Sequence, residues 1–363
     1  MKHWLSLLAV FAPMAILCHL LEWNPMLTFV CSAAALVPLG ALMEHSTDEL
    51  ADQLGPTLGG LLNATLGNAP ELIIACMALS KGLQDVVKAS IAGSILGNLL
   101  FANGLAMAIG GWGRSRQRFC HESAGLNSGL LFLAVVALII PAMFEHTTND
   151  NSAMTTSAVA PENKVQLEDI SVQVAVVLMA VYLISLAYVI TKPKAEATAE
   201  AGQHETEKPE PGRGMVRPLV MLIVITLGVA WMSEILTDAI GPTATSLGLT
   251  TTFTGVFLLA SAGNLAQTFN AVQFARGDNM ELTLSTTVGS STQVALLVAP
   301  VLVFVSLAVG NPMDLVFSKL ELFALMVATV AVRNTTSDGV SNWMEGVLLV
   351  GVYALLGIAF FAA

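Results

Sequence analysis

Long apolar runs separated by short polar intervals organise the chain. Eleven runs are apolar enough to be read as membrane-crossing helices, with cores near 4–21, 25–43, 57–79, 87–110, 126–144, 170–191, 217–234, 251–274, 282–307, 317–332 and 344–362. A helix rising 1.5 Å per residue needs about 20 apolar residues to cross the hydrocarbon layer. A membrane β-barrel would show alternating segments of about ten residues instead. The expected fold class is therefore an all-α polytopic membrane protein with about eleven transmembrane helices. Two polar intervals are long: 145–168, rich in Thr and Asn, and 192–216, rich in Ala, Glu, Pro and Gly. The second reads as a flexible acidic linker, with cation binding by its glutamates as the minor alternative.

The pattern repeats. Gly67-Asn68 recurs as Gly263-Asn264 and Gly93-Ser94 as Gly289-Ser290, both at a shift of 196 residues, with Lys81-Gly82 and Arg276-Gly277 one residue off that register. This divides the chain into a lone N-terminal helix (1–24), a first five-helix repeat (25–191), the linker (192–216) and a second five-helix repeat (217–363). An odd number of spans per repeat turns the second repeat upside down. Inverted repeats meeting at interrupted helices near the midplane are the architecture of secondary transporters.

Composition and charge sharpen this. The chain is 55% apolar and 11% charged, where soluble domains carry about 25% charged residues. The net charge of −11 argues against a nucleic-acid partner. The N-terminal run lacks a small-x-small cleavage site, so it reads as a retained span rather than a signal peptide. Placing the Arg114, Arg116 and Arg118 loop inside puts eleven of the fifteen Lys and Arg residues on that side and four on the other. That bias predicts a cytoplasmic N-terminus. Cys18, Cys31, Cys76 and Cys120 form no CxxC pair, and the six histidines show no zinc spacing, so no cofactor is expected.

The chemistry sits in "GNAPELIIA" (67–75). A carboxylate at membrane depth needs a reason, and tight packing of small residues does not require one. Glu71 and Asn68 are three apart and share a helix face. Pro70 cannot donate to the carbonyl of Leu66 and frees it. The next span carries Ser94 and Asn98, again on one face. The second half supplies Asn264 and Gln267, then Ser290, Ser291, Thr292 and Gln293. These groups are nearly all oxygen donors, as a hard cation such as calcium requires, and sodium would also suit them. Glu44, Asp48, Glu49, Glu321 and Glu345 read as interfacial. Glu234 and Asp238 are weaker candidates for an outer vestibule.

"STDELADQLGPTLGGLLNATLGNAPELIIACMALSKGLQDVVKASIAGSILGNLL", "GDNMELTLSTTVGSSTQVALLVAP" and "SNWMEGVLLVGVYALLGIAFF" closely resemble the conserved regions of calcium/proton exchangers of the calcium/cation antiporter superfamily. The resemblance implies eleven helices, two inverted repeats and alternating access. It implies calcium export or sequestration in exchange for protons. Glu71 would bind cation and proton in turn, supported by Asn68, Ser94, Asn98, Asn264, Gln267, Ser290, Ser291 and Gln293. The family's second motif carries Glu followed by His where this chain has Gln267 and Thr268, so one site carboxylate is replaced by an amide that cannot exchange a proton. Sodium/calcium or monovalent cation exchange remains the alternative within the class. A passive cation channel is the alternative outside it, and no enzyme motif is found. A bacterial inner membrane is the expected location, with cation and proton as substrates and the bilayer as solvent.

Overall fold

The computed structural model describes residues 2–152, 161–191 and 215–362, so almost all of the acidic linker lies outside the described residues. A helix overlaps every predicted span. These are α1 (Lys2–Leu20), α2 (Pro25–Leu66), α3 (Ala69–Ser80), α4 (Gln84–Gly110), α5 (His121–Ser152), α6 (Pro161–Thr191), α7 (Val216–Leu247), α8 (251–276), α9 (Met280–Ala308), α10 (Lys319–Thr336) and α11 (Trp343–Ala362). Among the described residues, seven helices are individually long and apolar enough to cross a membrane. A bent pair, Leu58–Leu66 with Ala69–Ser80, passes the same test jointly. Large side chains such as Ile184, Leu227, Leu355 and Phe361 face outward, as lipid-exposed residues do.

Several elements extend beyond their apolar cores. The polar stretch after Met43, expected to leave the membrane, continues as helix to a break at Gly55, whose φ of 81° is open to glycine. Ser46 and Thr47 donate to the carbonyls of Leu42 and Met43, so their hydroxyls satisfy themselves on the helix they belong to. Likewise α5 and α6 run into the predicted 145–168 loop, and α7 continues three turns past Glu234.

Interior crossings are tight because glycine permits them. A Cβ at Gly93 would lie 2.2 Å from the carbonyl oxygen of Val256, and one at Gly110 would lie 2.5 Å from Ala275 Cβ. These contacts run in the same order along α4 and α8, so the two helices are parallel. The turn at 81–83 makes α3 and α4 an antiparallel pair, and α3 and α8 are therefore antiparallel too. A two-residue ribbon, Gln117↔Ser341 and Arg118↔Val340, ties two loops together at the Arg114 end. There the Arg114 guanidinium also donates to the carbonyl of Arg276.

Candidate functional site

The chain breaks at Gly67-Asn68, and the helical segments on either side meet at 41°. Pro70 sits in the first turn of α3, where a missing N–H does no harm. Asn68 occupies the N-cap position but its side chain makes no capping bond. It reaches across the molecule instead. Its Oδ1 accepts from Ser290 Oγ at 2.6 Å, and its Nδ2 donates to Gln293 Oε1 at 2.5 Å. Both partners lie on α9, so the break links the two halves of the chain.

Beside it, Gln267 Nε2 donates to Glu71 Oε1 at 3.0 Å. Gln267 Oε1 accepts from Asn98 Nδ2 at 3.1 Å and from Ser290 Oγ at 3.1 Å. Both ends of the amide are therefore specified by their neighbours. Asn264 Nδ2 donates to the carbonyl of Ser94 at 3.1 Å. Four helices contribute: α3, α4, α8 and α9. The last three carry π-helical turns next to these residues, at Gly97–Ala102, Thr254–Leu259, Ser285–Gly289 and Val294–Val298. Such turns rotate following side chains out of α register and recur at functional sites.

Three buried oxygens here lack a hydrogen-bond partner: Glu71 Oε2, Asn98 Oδ1 and Asn264 Oδ1. Buried acceptors are ordinarily satisfied, and leaving a charged one bare is costly. A carboxylate and two amide oxygens without donors are what a hard cation would occupy. Among the described residues no group of three or more His, Cys, Asp or Glu could hold a metal, so the oxygens here are mainly amide, hydroxyl and carbonyl.

Of the nine residues singled out in the sequence, the network joins Glu71, Asn68, Asn98, Asn264, Gln267, Ser290 and Gln293 by side chain. Ser94 takes part through its backbone carbonyl. Ser291 does not join. Its hydroxyl donates to Thr287 O at 2.8 Å on its own helix, because one residue on from Ser290 the helix has turned about 100°. Thr292 likewise bonds Val288 O and Asn127 O.

The other acidic residues singled out in the sequence have these surroundings. Glu321 is buried and forms a capping box with Ser318. Glu345 accepts from the backbone N–H of Asn342. Asp238 pairs with Lys81, whose Nζ also donates to the carbonyl of Glu234. Glu44 is half-buried and accepts from Asn270 Nδ2 at 2.5 Å. With His45, Asp48, Asn270 and Phe274 it lines a cavity of about 370 Å³. Asn270 was missed, yet it stands three residues after Gln267 and shares its face. Asn103 was missed too: it is fully buried with neither side-chain polar atom hydrogen-bonded.

Comparison with known proteins gives a consistent picture. The family described as sodium/calcium exchanger protein matches residues 24–191 and again 217–362. A "Ca(2+)/H(+) antiporter" of Synechocystis sp. is 43% identical, over 98% of this chain and 96% of its own length. The "Ca(2+)/H(+) antiporter ChaA" of Bacillus subtilis is 35% identical, over 98% and 97%. Among solved structures, native YfkE superposes with a TM-score of 0.81 at 31% identity, covering 99% of this chain and all of that one. The "H+/Ca2+ Exchanger CAX" shares the fold at a TM-score of 0.70 and 14% identity, covering 99% and 92%.

Proposed function

We propose, on the premise that the chain belongs to the sodium/calcium exchanger protein family, that it is a secondary antiporter exchanging calcium for protons by alternating access. One observation carries the reading: Glu71, a carboxylate 8% exposed, leaves one oxygen without a donor, and Asn98 Oδ1, on a residue linked to it through Gln267, and Asn264 Oδ1 are equally bare. The names borne by the curated relatives support calcium and proton as the pair.

In this reading Glu71 holds cation and proton in turn. Asn68, Ser94, Asn98, Asn264, Gln267, Ser290 and Gln293 supply neutral oxygen ligands or position those that do. Gln267 Nε2 points at Glu71 and would repel a cation there. The amide must turn away, presenting Oε1, before a cation can bind. The two segments 25–191 and 217–362 act as inverted repeats that rock against one another, a reading supported by the antiparallel run of α3 and α8. The Lys and Arg distribution favours the Arg114 end as cytoplasmic, in a bacterial inner membrane.

Reconstituted vesicles loaded with a pH indicator test this. An imposed calcium gradient should drive proton movement in the opposite direction, and a proton gradient should drive calcium uphill. Calcium flux with no dependence on the proton gradient would indicate a channel and end the antiport reading.

A further inference from the structure

A divalent ion bound against Glu71 alone would leave the site with a net positive charge in a low-dielectric interior, which is costly. Gln267, fixed as an amide, neither neutralises that charge nor carries a proton. A second ionisable group within electrostatic reach would remove the imbalance, and the cavity supplies one.

Glu44 projects from α2 onto Asn270, and Asn270 is one turn along α8 from Gln267. Glu71 accepts from Gln267 and Glu44 accepts from Asn270, so the two carboxylates are held by side chains one helical turn apart on α8. Because α3 and α8 are antiparallel, Asn270 and Phe274 lie on the Arg276 side of the Glu71–Gln267 contact, away from Lys81. The cavity of about 370 Å³ is polar and roomy enough for several waters at ~30 Å³ each. The other titratable groups lining it are His45 and Asp48, from α2 itself; α8 contributes the neutral Asn270, and among the described lining residues α1 and α7 contribute none. Asp48 is exposed, a turn further from Asn270, and is held by Asn63 Nδ2 at 3.0 Å. Glu44 is the half-buried carboxylate between that outer acid and the site.

We propose that Glu44, anchored by Asn270, is the second proton-exchanging carboxylate of the transport cycle, and that the cavity it lines is the entry route for cation and proton. The proposal rests on the antiport reading above. Glu71 and Glu44 each give up one proton as one calcium ion enters, so two positive charges leave and two arrive. The calcium stays on Glu71 and the amide oxygens, and the ionised Glu44 balances its remaining charge from one turn away.

The test counts protons per calcium in reconstituted vesicles for the unmodified protein and Glu44→Gln, with the membrane potential clamped and then varied. The unmodified protein should move two protons per calcium, independent of potential. Glu44→Gln should move one and become potential-dependent, and Glu44→Asp should restore two. A merely structural tether between α2 and α8 would slow transport without altering the ratio, so an unchanged ratio of two in Glu44→Gln overturns the proposal. If Glu44→Gln is too slow to count, calorimetry in two buffers of different ionisation enthalpy gives the protons released on calcium binding. One fewer than in the unmodified protein supports the proposal, and an equal number overturns it. An unmodified protein that moves calcium without protons overturns the antiport reading itself, and the proposal with it.

Discussion

Gln267 Nε2 donates to Glu71 Oε1 across 3.0 Å, and the two residues stand 196 positions apart, the same shift that relates Gly67 to Gly263 and Gly93 to Gly289. Equivalent positions of the two halves therefore touch each other at the centre of the molecule. In the inverted-repeat reading proposed above, a pseudo-two-fold axis would pass between them. It makes the chemical difference between a carboxylate and an amide consequential, since each faces its own counterpart. The following expectations start from that pair.

Replacing Glu71 by Gln removes the only charge at the pair and sets an amide against an amide. Gln267 can still find an acceptor by pairing with the new carbonyl, so the fold should survive. Calcium-driven transport should fall by roughly 100-fold or more, the scale of losing a charge-assisted contact of about 3 kcal/mol. Vesicle flux measured beside thermal unfolding checks both halves of the statement. Transport at the normal rate would show that the cation binds elsewhere.

Restoring a carboxylate with Gln267→Glu places two acids 3.0 Å apart. Two such groups repel when both are ionised, and a shared proton or a bound cation relieves the repulsion. Calcium should bind more tightly than to the unmodified protein at alkaline pH, by about tenfold for about 1.4 kcal/mol of added attraction. The gain should shrink as the pH falls and protons compete. In the absence of calcium this variant should lose thermal stability as the pH rises, and calcium should return it. Titration calorimetry at two pH values decides; equal affinities in both proteins would place position 267 outside the ion's reach.

Two glycines separate the needs of packing from those of the site. A Cβ at Gly93 would meet the Val256 backbone at 2.2 Å, and backbone cannot step aside. Gly93→Ala should cost about 1–3 kcal/mol or more and show as poor yield and early melting. A Cβ at Gly263 would meet Glu71 Cγ at 3.2 Å, a side chain able to shift by a few tenths of an ångström. Gly263→Ala should melt near the normal temperature yet bind calcium several-fold more weakly, by roughly 1 kcal/mol. Normal affinity in the folded variant would mean that the Glu71 position observed here is not the one that binds.

These contrasts bear on what the sequence could and could not reveal. The exact shift between halves and the cost of an acid in an apolar run made Glu71, Asn68, Asn264 and Gln267 legible, and the structure brings them together. Side-chain direction was harder. Ser290 and Ser291 are adjacent in "GSSTQ", but only knowledge of the π-turn before them says which one faces the centre. Glu44 and Asp48 were misplaced for a different reason. A helix with acids on a cavity-facing stripe has the composition of a loop, so the apolar run was ended a dozen residues before the chain bends at Gly55. Glu321 was read as a membrane-edge acid, and its role in a capping box followed from the Ser three residues before it, a pattern visible in the sequence.

The last expectation concerns the end of the molecule opposite the cavity. There Lys81, just past the end of α3, pairs with Asp238 on α7 and donates to the Glu234 carbonyl. Its side chain is 27% exposed and that of Asp238 44%, so the pair contributes at most about 1 kcal/mol and is screened by salt. That is little for stability but enough to bias two conformations by about fivefold, since a free-energy difference near 1 kcal/mol shifts a two-state population by that factor. The pair holds α3 to α7 at one end while the Glu44 cavity stands open at the other. An antiporter cannot be open at both ends, so releasing the pair should favour the state in which the cavity closes. With a thiol placed in the cavity by Phe274→Cys, Lys81→Met or Asp238→Asn should slow its labelling by a membrane-impermeant reagent, and raised salt should slow labelling in the parent while changing the variants little. Labelling at the same rate in all three proteins would reduce the pair to an ordinary surface contact with no part in the transport cycle.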